Sequence, residues 1–169
     1  MLALLVMAGA TLSACSPTPE PSPTPTAAFA SEEEAFAAAE EVYRAYITAS
    51  STVDFQDTTT FERLAEYSAG EYFSDEREQL SEMHANGYVR GGAIEIVDFR
   101  GTSFDGDVTV TARTCNDVSG TTFTDANGKN LVPAERPDRS ALDLTFTSMD
   151  SSLYLVAADP VDDDSCASE

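Results

Sequence analysis

The stretch Asp105-Gly106-Asp107-Val108-Thr109-Val110-Thr111-Ala112-Arg113-Thr114-Cys115 decides the fold. Asp105-Gly106 between apolar runs is a hairpin turn signal. Beyond it the side chains alternate: Val108, Val110 and Ala112 share one face, Thr109, Thr111 and Arg113 the other. That period of two predicts a strand closed by Cys115. On the other side of the turn, Ala93 to Phe104 is rich in Ile, Val and Phe, and Gly101 within it marks a bulge or bend. Before Gly91-Gly92 the period is helical, and after it the period is extended.

Downstream, Asn116 to Pro137 is polar and irregular, with a turn at Asp125-Ala126-Asn127-Gly128. Asp125, Asn127 and Gly128 look like a fragment of a calcium loop. The remaining ligands of such a loop are missing, the late Glu among them, so a hairpin tip is expected. Asp138 to Ser148 alternates again through Leu142, Leu144 and Phe146. Met149-Asp150-Ser151 turns the chain, and Leu153 to Ala158 forms the last strand.

Three helices are expected upstream. Ser31 and Glu34 make a capping box, with Glu32 and Glu33 at the positive helix end. Phe36, Ala39, Tyr43, Tyr46 and Ile47 then recur at helical spacing, and the helix fades in Thr48 to Thr52. Thr58 to Tyr67 reads as a short helix with Phe61, Leu64 and Ala65 inward. Ser74 to Asn86 reads as the third, capped by Ser74 and ended at Asn86-Gly87, with Leu80, Met83 and His84 on one side. His84 is the sole histidine and is expected at a helix surface or core edge. Helices followed by antiparallel strands predict an α+β fold, the helices packed on one face of a curved antiparallel sheet.

Composition narrows the function. Thirty acidic residues against 9 basic give a net charge of −21 over 169 residues. Nucleic acid is excluded as a partner, because phosphate neutralisation needs Lys/Arg clusters. An anionic lipid surface would repel such a domain, so any membrane attachment must come from a lipid.

The N-terminal apolar run, Leu2 to Leu12, is too short to span a bilayer and reads as a secretion signal. It ends in Leu12-Ser13-Ala14-Cys15, which resembles the lipobox of bacterial lipoproteins. The resemblance implies cleavage before Cys15 and a lipid on Cys15. Met1 to Ala14 hold no Lys or Arg, and the basic part of the signal is expected upstream of Met1. From Pro17 to Pro25 every second residue is proline. Residues 15–30 are therefore expected to be an extended tether, reaching roughly 45 Å at about 3.1 Å per residue. The expected organisation is a signal at 1–14, the lipidated Cys15 and tether at 15–30, and one domain at 31–169. The site is the extracytoplasmic face of the cell membrane. With Cys15 assigned, Cys115 and Cys166 remain as a pair, expected as a disulfide in that compartment. Metal binding is the alternative, but two cysteines with a distant His84 make no zinc pattern. No metal or cofactor set is assigned.

Beyond periodicity, the order of elements resembles the nuclear-transport-factor/ketosteroid-isomerase-like (SnoaL-like) cone, and lipid-anchored forms common in actinobacteria in particular. The resemblance covers about Ser31 to Cys166. It rests on Tyr88-Val89-Arg90-Gly91-Gly92, on Cys115-Asn116-Asp117, on Asp125 to Gly128 and on the closing Cys166. Such forms carry Trp near the start of the final strand, where this chain has Tyr154. The leading expectation is a non-catalytic anchored domain that binds an envelope protein. A small-molecule-binding cone is the next. A third is an enzyme resembling the isomerases and cyclases, in which a buried acid takes a proton beside a carbonyl. Asp98, Asp143 and Asp54 are conceivable acids for it, with Tyr43 or Tyr46 as donor. None maps onto an active-site motif, so no catalytic residue is assigned. The polar face of Thr109, Thr111 and Arg113 points to a monomer.

Overall fold

The computed structural model describes residues 28–166. The expected signal, Cys15 and the tether up to residue 27 lie outside the described residues. The element order begins with helix α1 (Glu32–Ser51), a 3-10 helix (Thr58–Glu66) and helix α2 (Gly70–Ala85). Strands β1 (Val89–Gly91), β2 (Glu95–Phe104), β3 (Thr109–Asp117), β4 (Thr122–Thr124), β5 (Arg139–Met149) and β6 (Ser152–Val161) follow. A short 3-10 turn, Asp164–Cys166, closes the described chain. The main sheet is antiparallel with order β2-β3-β5-β6, and β1 pairs β4 in a separate two-stranded sheet.

The helices cover one face of the main sheet, as the periodicity predicts. Tyr43, Leu64, Val110, Leu144, Phe146 and Leu155 are fully buried between the two layers. At the start of α1, Ser31 Oγ accepts from the Glu34 amide at 3.1 Å. Glu34 reaches back to the Ala30 amide at 2.8 Å, one residue before the cap itself. Register shifts at Ile96/Asp98 and Gly101/Ser103 on β2, and at Thr145/Phe146 against β6, bend the strands around the helices. Gly101 has a second reason to be glycine. A Cβ there would lie 2.1 Å from Cγ of Phe36, so α1 seats its ring directly on the strand backbone.

Several expectations are corrected. Ala65 is exposed rather than inward, because the second helix winds as a 3-10 helix and its side chains fall on a period of three. The third helix starts at Gly70, not Ser74. Its start is set by tertiary bonds: the Ala69 amide donates to the Leu155 carbonyl, and the Leu155 amide donates to the Tyr67 carbonyl. Ser74 lies inside the helix and donates to the Gly70 carbonyl. The final strand runs three residues past Ala158 and through Pro160, which an edge strand tolerates.

Inside the segment expected to be irregular, β4 pairs in register with β1, Arg90 opposite Phe123. Strands of three residues are too short to show alternation. Gly92, at φ +78°, lets the chain pass against the Gly120 carbonyl, where a Cβ would sit 2.0 Å from the oxygen. Asp125 to Gly128 is a hairpin tip, as expected. Asp125 Oδ1 accepts from the Asn127 and Lys129 amides.

Cys115 and Cys166 form a disulfide across 51 residues. It clips the chain end to the outer face of the sheet, beside Ala141 and Val161. In the chain-entropy model a loop of that length corresponds to roughly 4 kcal/mol. Replacing both cysteines by serine should lower the unfolding free energy by about that amount in urea titration, and an unchanged midpoint would show that the bond only tidies the tail. Gly101→Ala should cost about 1–3 kcal/mol through overpacking against Phe36. Phe36→Ala in the same chain should remove most of the clash.

Candidate functional site

The apolar face of α1 carries two tyrosines, and both hydroxyls end in polar company. Tyr43 is buried, and its oxygen accepts from Asn116 Nδ2 at 2.6 Å. Asn116 is fixed in turn by the Thr114 hydroxyl, which also bonds the Asp98 carbonyl. Tyr46, one turn later, points toward α2. Because α2 begins at Gly70, Tyr72, Glu76, Leu80 and Met83 share its inner face. Tyr46 donates to Glu76 Oε1 at 2.5 Å, and its oxygen lies 3.0 Å from the Tyr72 hydroxyl. Glu76 Oε2 is buried and has no hydrogen-bond partner.

Burial governs the electrostatics. It pushes the Glu76 carboxyl above its ordinary range, although Tyr46, Ser68 and the nearby Arg90 charge oppose the shift. Burial likewise drives Tyr46 far up, with Tyr72 and Glu76 adding to the effect, and lifts Tyr72 to about 12. The Ser68 hydroxyl donates to the Leu64 carbonyl at 3.0 Å and faces the same carboxyl group. A proton on Oε2 would make that orphaned oxygen a donor toward Ser68. The site thus shifts the balance of Glu76 toward the neutral acid.

Arg90 completes the cluster. It enters from β1, donates to the backbone carbonyl of Ser50 and lies 5.2 Å over the Phe55 ring. Burial lowers its pKa from the ordinary arginine value. Glu76 and Arg90 form one wall of a pocket of about 380 Å³, whose other walls include Phe55, Leu80, Met83, Phe123 and Leu131. That size and lining fall within the range of small-molecule sites. A neighbouring recess of about 240 Å³ shares Arg90, Phe123 and Arg136 with it. Arg136 donates to the Thr121 hydroxyl and the Val118 carbonyl, which holds the loop that walls both recesses.

A larger depression, about 720 Å³, lies where the chain enters the domain, lined by Phe29, Val42, Tyr67, Val108 and Leu153 among others. Its only ionisable carboxylates, Glu41 and Asp150, are exposed, so it lacks the chemistry of the Glu76 pocket.

The acids considered from sequence stand elsewhere. Asp143 is on the outer sheet face in a two-point ion pair with Arg113, at 2.7 and 2.9 Å, which holds its pKa below the ordinary range. Asp98 and Asp54 are exposed. Tyr46 is in the cluster and Tyr43 stacks beside it, with centroids 6.3 Å apart. His84 sits at the core edge, its Nδ1 2.7 Å from the Phe55 carbonyl. Among the described residues no group of three metal-ligating side chains converges. The sequence reading gives no site role to Glu76, Tyr72 or Arg90. The available signal was a carboxylate at helical spacing from Tyr72, Leu80 and Met83, hidden by the late placement of the α2 start.

No protein-family model matches the chain, and no curated protein sequence does. Solved structures do match its fold. A candidate aromatic ring hydroxylase from Novosphingobium aromaticivorans superposes with TM-score 0.55 at 12% identity, over 79% of this chain and 93% of its own. The intermembrane-space region of the chloroplast protein ARC6 gives 0.54 at 15% identity, over 76% and 97%. A candidate polyketide cyclase from Xanthomonas campestris pv. campestris gives 0.37 at 14% identity, over 72% and 91%. The chain has an α+β cone fold, with helices packed on one face of an antiparallel sheet. At these identities the likeness concerns the fold and assigns no chemistry.

Glu76 supplies a pH test. Its folded-state pKa is raised, so its contribution to stability is complete below the ordinary value of 4.5 and is lost as pH rises through the folded-state pKa. Glu76→Gln keeps an acceptor for Tyr46 and a donor for Ser68 without titrating. The melting temperature of Glu76→Gln should exceed that of the parent at pH 8, with the gap closing as pH falls toward 5. A gap that widens on acidification would mean that Glu76 is held ionised.

Proposed function

We propose that this chain is a lipid-anchored, extracytoplasmic protein of bacterial, specifically actinobacterial, origin whose cone binds a small molecule. The observation that carries the binding reading is the pocket beside Glu76. It combines an apolar lining with buried polar groups left incompletely partnered, as ligand sites do. This supports the small-molecule reading over an envelope-protein interaction domain, because apolar side chains and ionisable groups meet in one pocket between α2, β1, β4 and the loop at residues 131–136. The anchor reading rests on Leu12-Ser13-Ala14-Cys15 and the proline tether behind it. No helix among the described residues is long and apolar enough to cross a membrane. In this reading the lipid on Cys15 holds the protein there.

The domain acts as a monomer in this reading. Arg100, Arg113, Asp143 and Asp163 interlock on the outer sheet face, and the disulfide-bound chain end lies there too. Self-association through that face would have to desolvate those charges.

One observation favours a second, catalytic reading. A neutral-leaning carboxyl beside tyrosine hydroxyls in an apolar pocket is suited to proton transfer next to a ligand carbonyl. Under that reading Glu76→Gln retains ligand and loses turnover.

Two measurements test the proposal. Cys15→Ala should move the protein from the membrane fraction to the soluble one, and continued membrane retention would refute lipidation. In the soluble Cys15→Ala chain, the apolar fluorophore N-phenyl-1-naphthylamine should bind with a dissociation constant in the micromolar range. Leu131→Trp, which fills the pocket mouth, should abolish that binding. Binding that survives Leu131→Trp would locate the probe elsewhere and remove the support for this pocket.

A further inference from the structure

The distribution of arginines identifies the class of ligand. Among the described residues, Arg44, Arg77, Arg100, Arg113 and Arg139 each pair with a carboxylate. Arg63, Arg90 and Arg136 pair with none, although the chain carries 30 acidic residues against 9 basic ones. Arg63 is exposed and bonds the Thr52 hydroxyl, which leaves Arg90 and Arg136. These two line the same pair of adjoining recesses. Arg136 is occupied by the Thr121 hydroxyl and the Val118 carbonyl, and supplies charge and loop position. Arg90 is half-buried and held flat over Phe55, with a backbone carbonyl as its closest partner. A desolvated guanidinium without a counter-ion is costly unless an anion joins it. The Glu76 carboxyl acts on Arg90 through space, yet the two make no ion pair, and Glu76 Oε1 is taken by Tyr46.

We propose that the pocket takes a small, mainly apolar molecule bearing one carboxylate, which lies against Arg90 while its apolar body contacts Phe55, Leu80, Met83 and Phe123. This rests on the small-molecule reading of the same pocket and names the chemistry of its ligand. The net charge of −21 does not oppose it at close range. Surface acids are screened over about 8 Å at physiological salt, whereas a half-buried guanidinium is screened far less.

The test uses the Cys15→Ala chain, so that no lipid competes for apolar probes, and follows displacement of N-phenyl-1-naphthylamine. The competitors are 4-phenylbutyrate and its neutral counterpart 4-phenyl-1-butanol. In the parent, the carboxylate should displace the fluorophore at about tenfold lower concentration, the factor expected of one charge-assisted hydrogen bond. Arg90→Gln should erase that preference, acid and alcohol then displacing the fluorophore at equal concentrations, and Arg90→Lys should keep part of it. An alcohol that competes as well as the acid in the parent overturns the proposal, as does an acid preference that survives Arg90→Gln. The parent comparison decides the matter even if Arg90→Gln does not fold. A parent that fails to bind the fluorophore at all would instead defeat the pocket reading, a separate outcome.

Discussion

Tyr46 gives its hydroxyl proton to Glu76 across the gap between the two long helices. That bond ties α2 to α1 and holds Glu76 at the pocket wall. It is not a stability device. A hydrogen bond between neutral groups contributes about 0.5–1.5 kcal/mol, and leaving a buried polar atom such as Glu76 Oε2 unpartnered costs about 1–3 kcal/mol in return. Leu and Phe of matching shape at these positions would hold the helices together at least as well. A carboxyl, two tyrosines and an arginine gathered beside one pocket therefore support a role toward a ligand that enters it.

The supports of that cluster lie on unrelated parts of the chain. Ser68 stands in the connection that bonds to the backbone around Leu155 on β6, so the edge strand of the main sheet positions the start of α2. Arg90 stands on a three-residue strand paired with β4, and Phe123 opposite it forms the facing wall. Gly92 allows the close crossing that keeps this small sheet against the loop at Gly120. The disulfide and the Arg113–Asp143 pair sit on the other face of the main sheet. The two faces are thus divided between closure of the chain and the pocket.

How much of this could be read from the residues depends on the range of the interaction. The hairpin at Asp105-Gly106, the alternation through Val110 and Ala112, and the Tyr43/Tyr46 stripe are local signals, and the structure follows them. The disulfide followed from a count of cysteines. The site did not, because its members come from α1, α2 and β1 and are joined only by tertiary contact. A helix beginning at Ser74 would put Glu76 in its first turn, where acids are commonly exposed. Starting the helix four residues earlier, as the backbone bonds at Ala69 require, moves Glu76 onto the Tyr72–Leu80 stripe and into the core. Arg90 sat in a motif noted only for its fold resemblance, and β4 was too short to be seen at all.

The most direct measurement is a carbon-13 NMR titration of the Glu76 side-chain carboxyl, assigned by comparison with Glu76→Gln. The account predicts a midpoint above the ordinary glutamate value of 4.5, with the Tyr46 ring signals shifting over the same pH range. A midpoint at or below that value would show an ionised, well-solvated glutamate. It would contradict the buried acid on which the reading of the pocket rests.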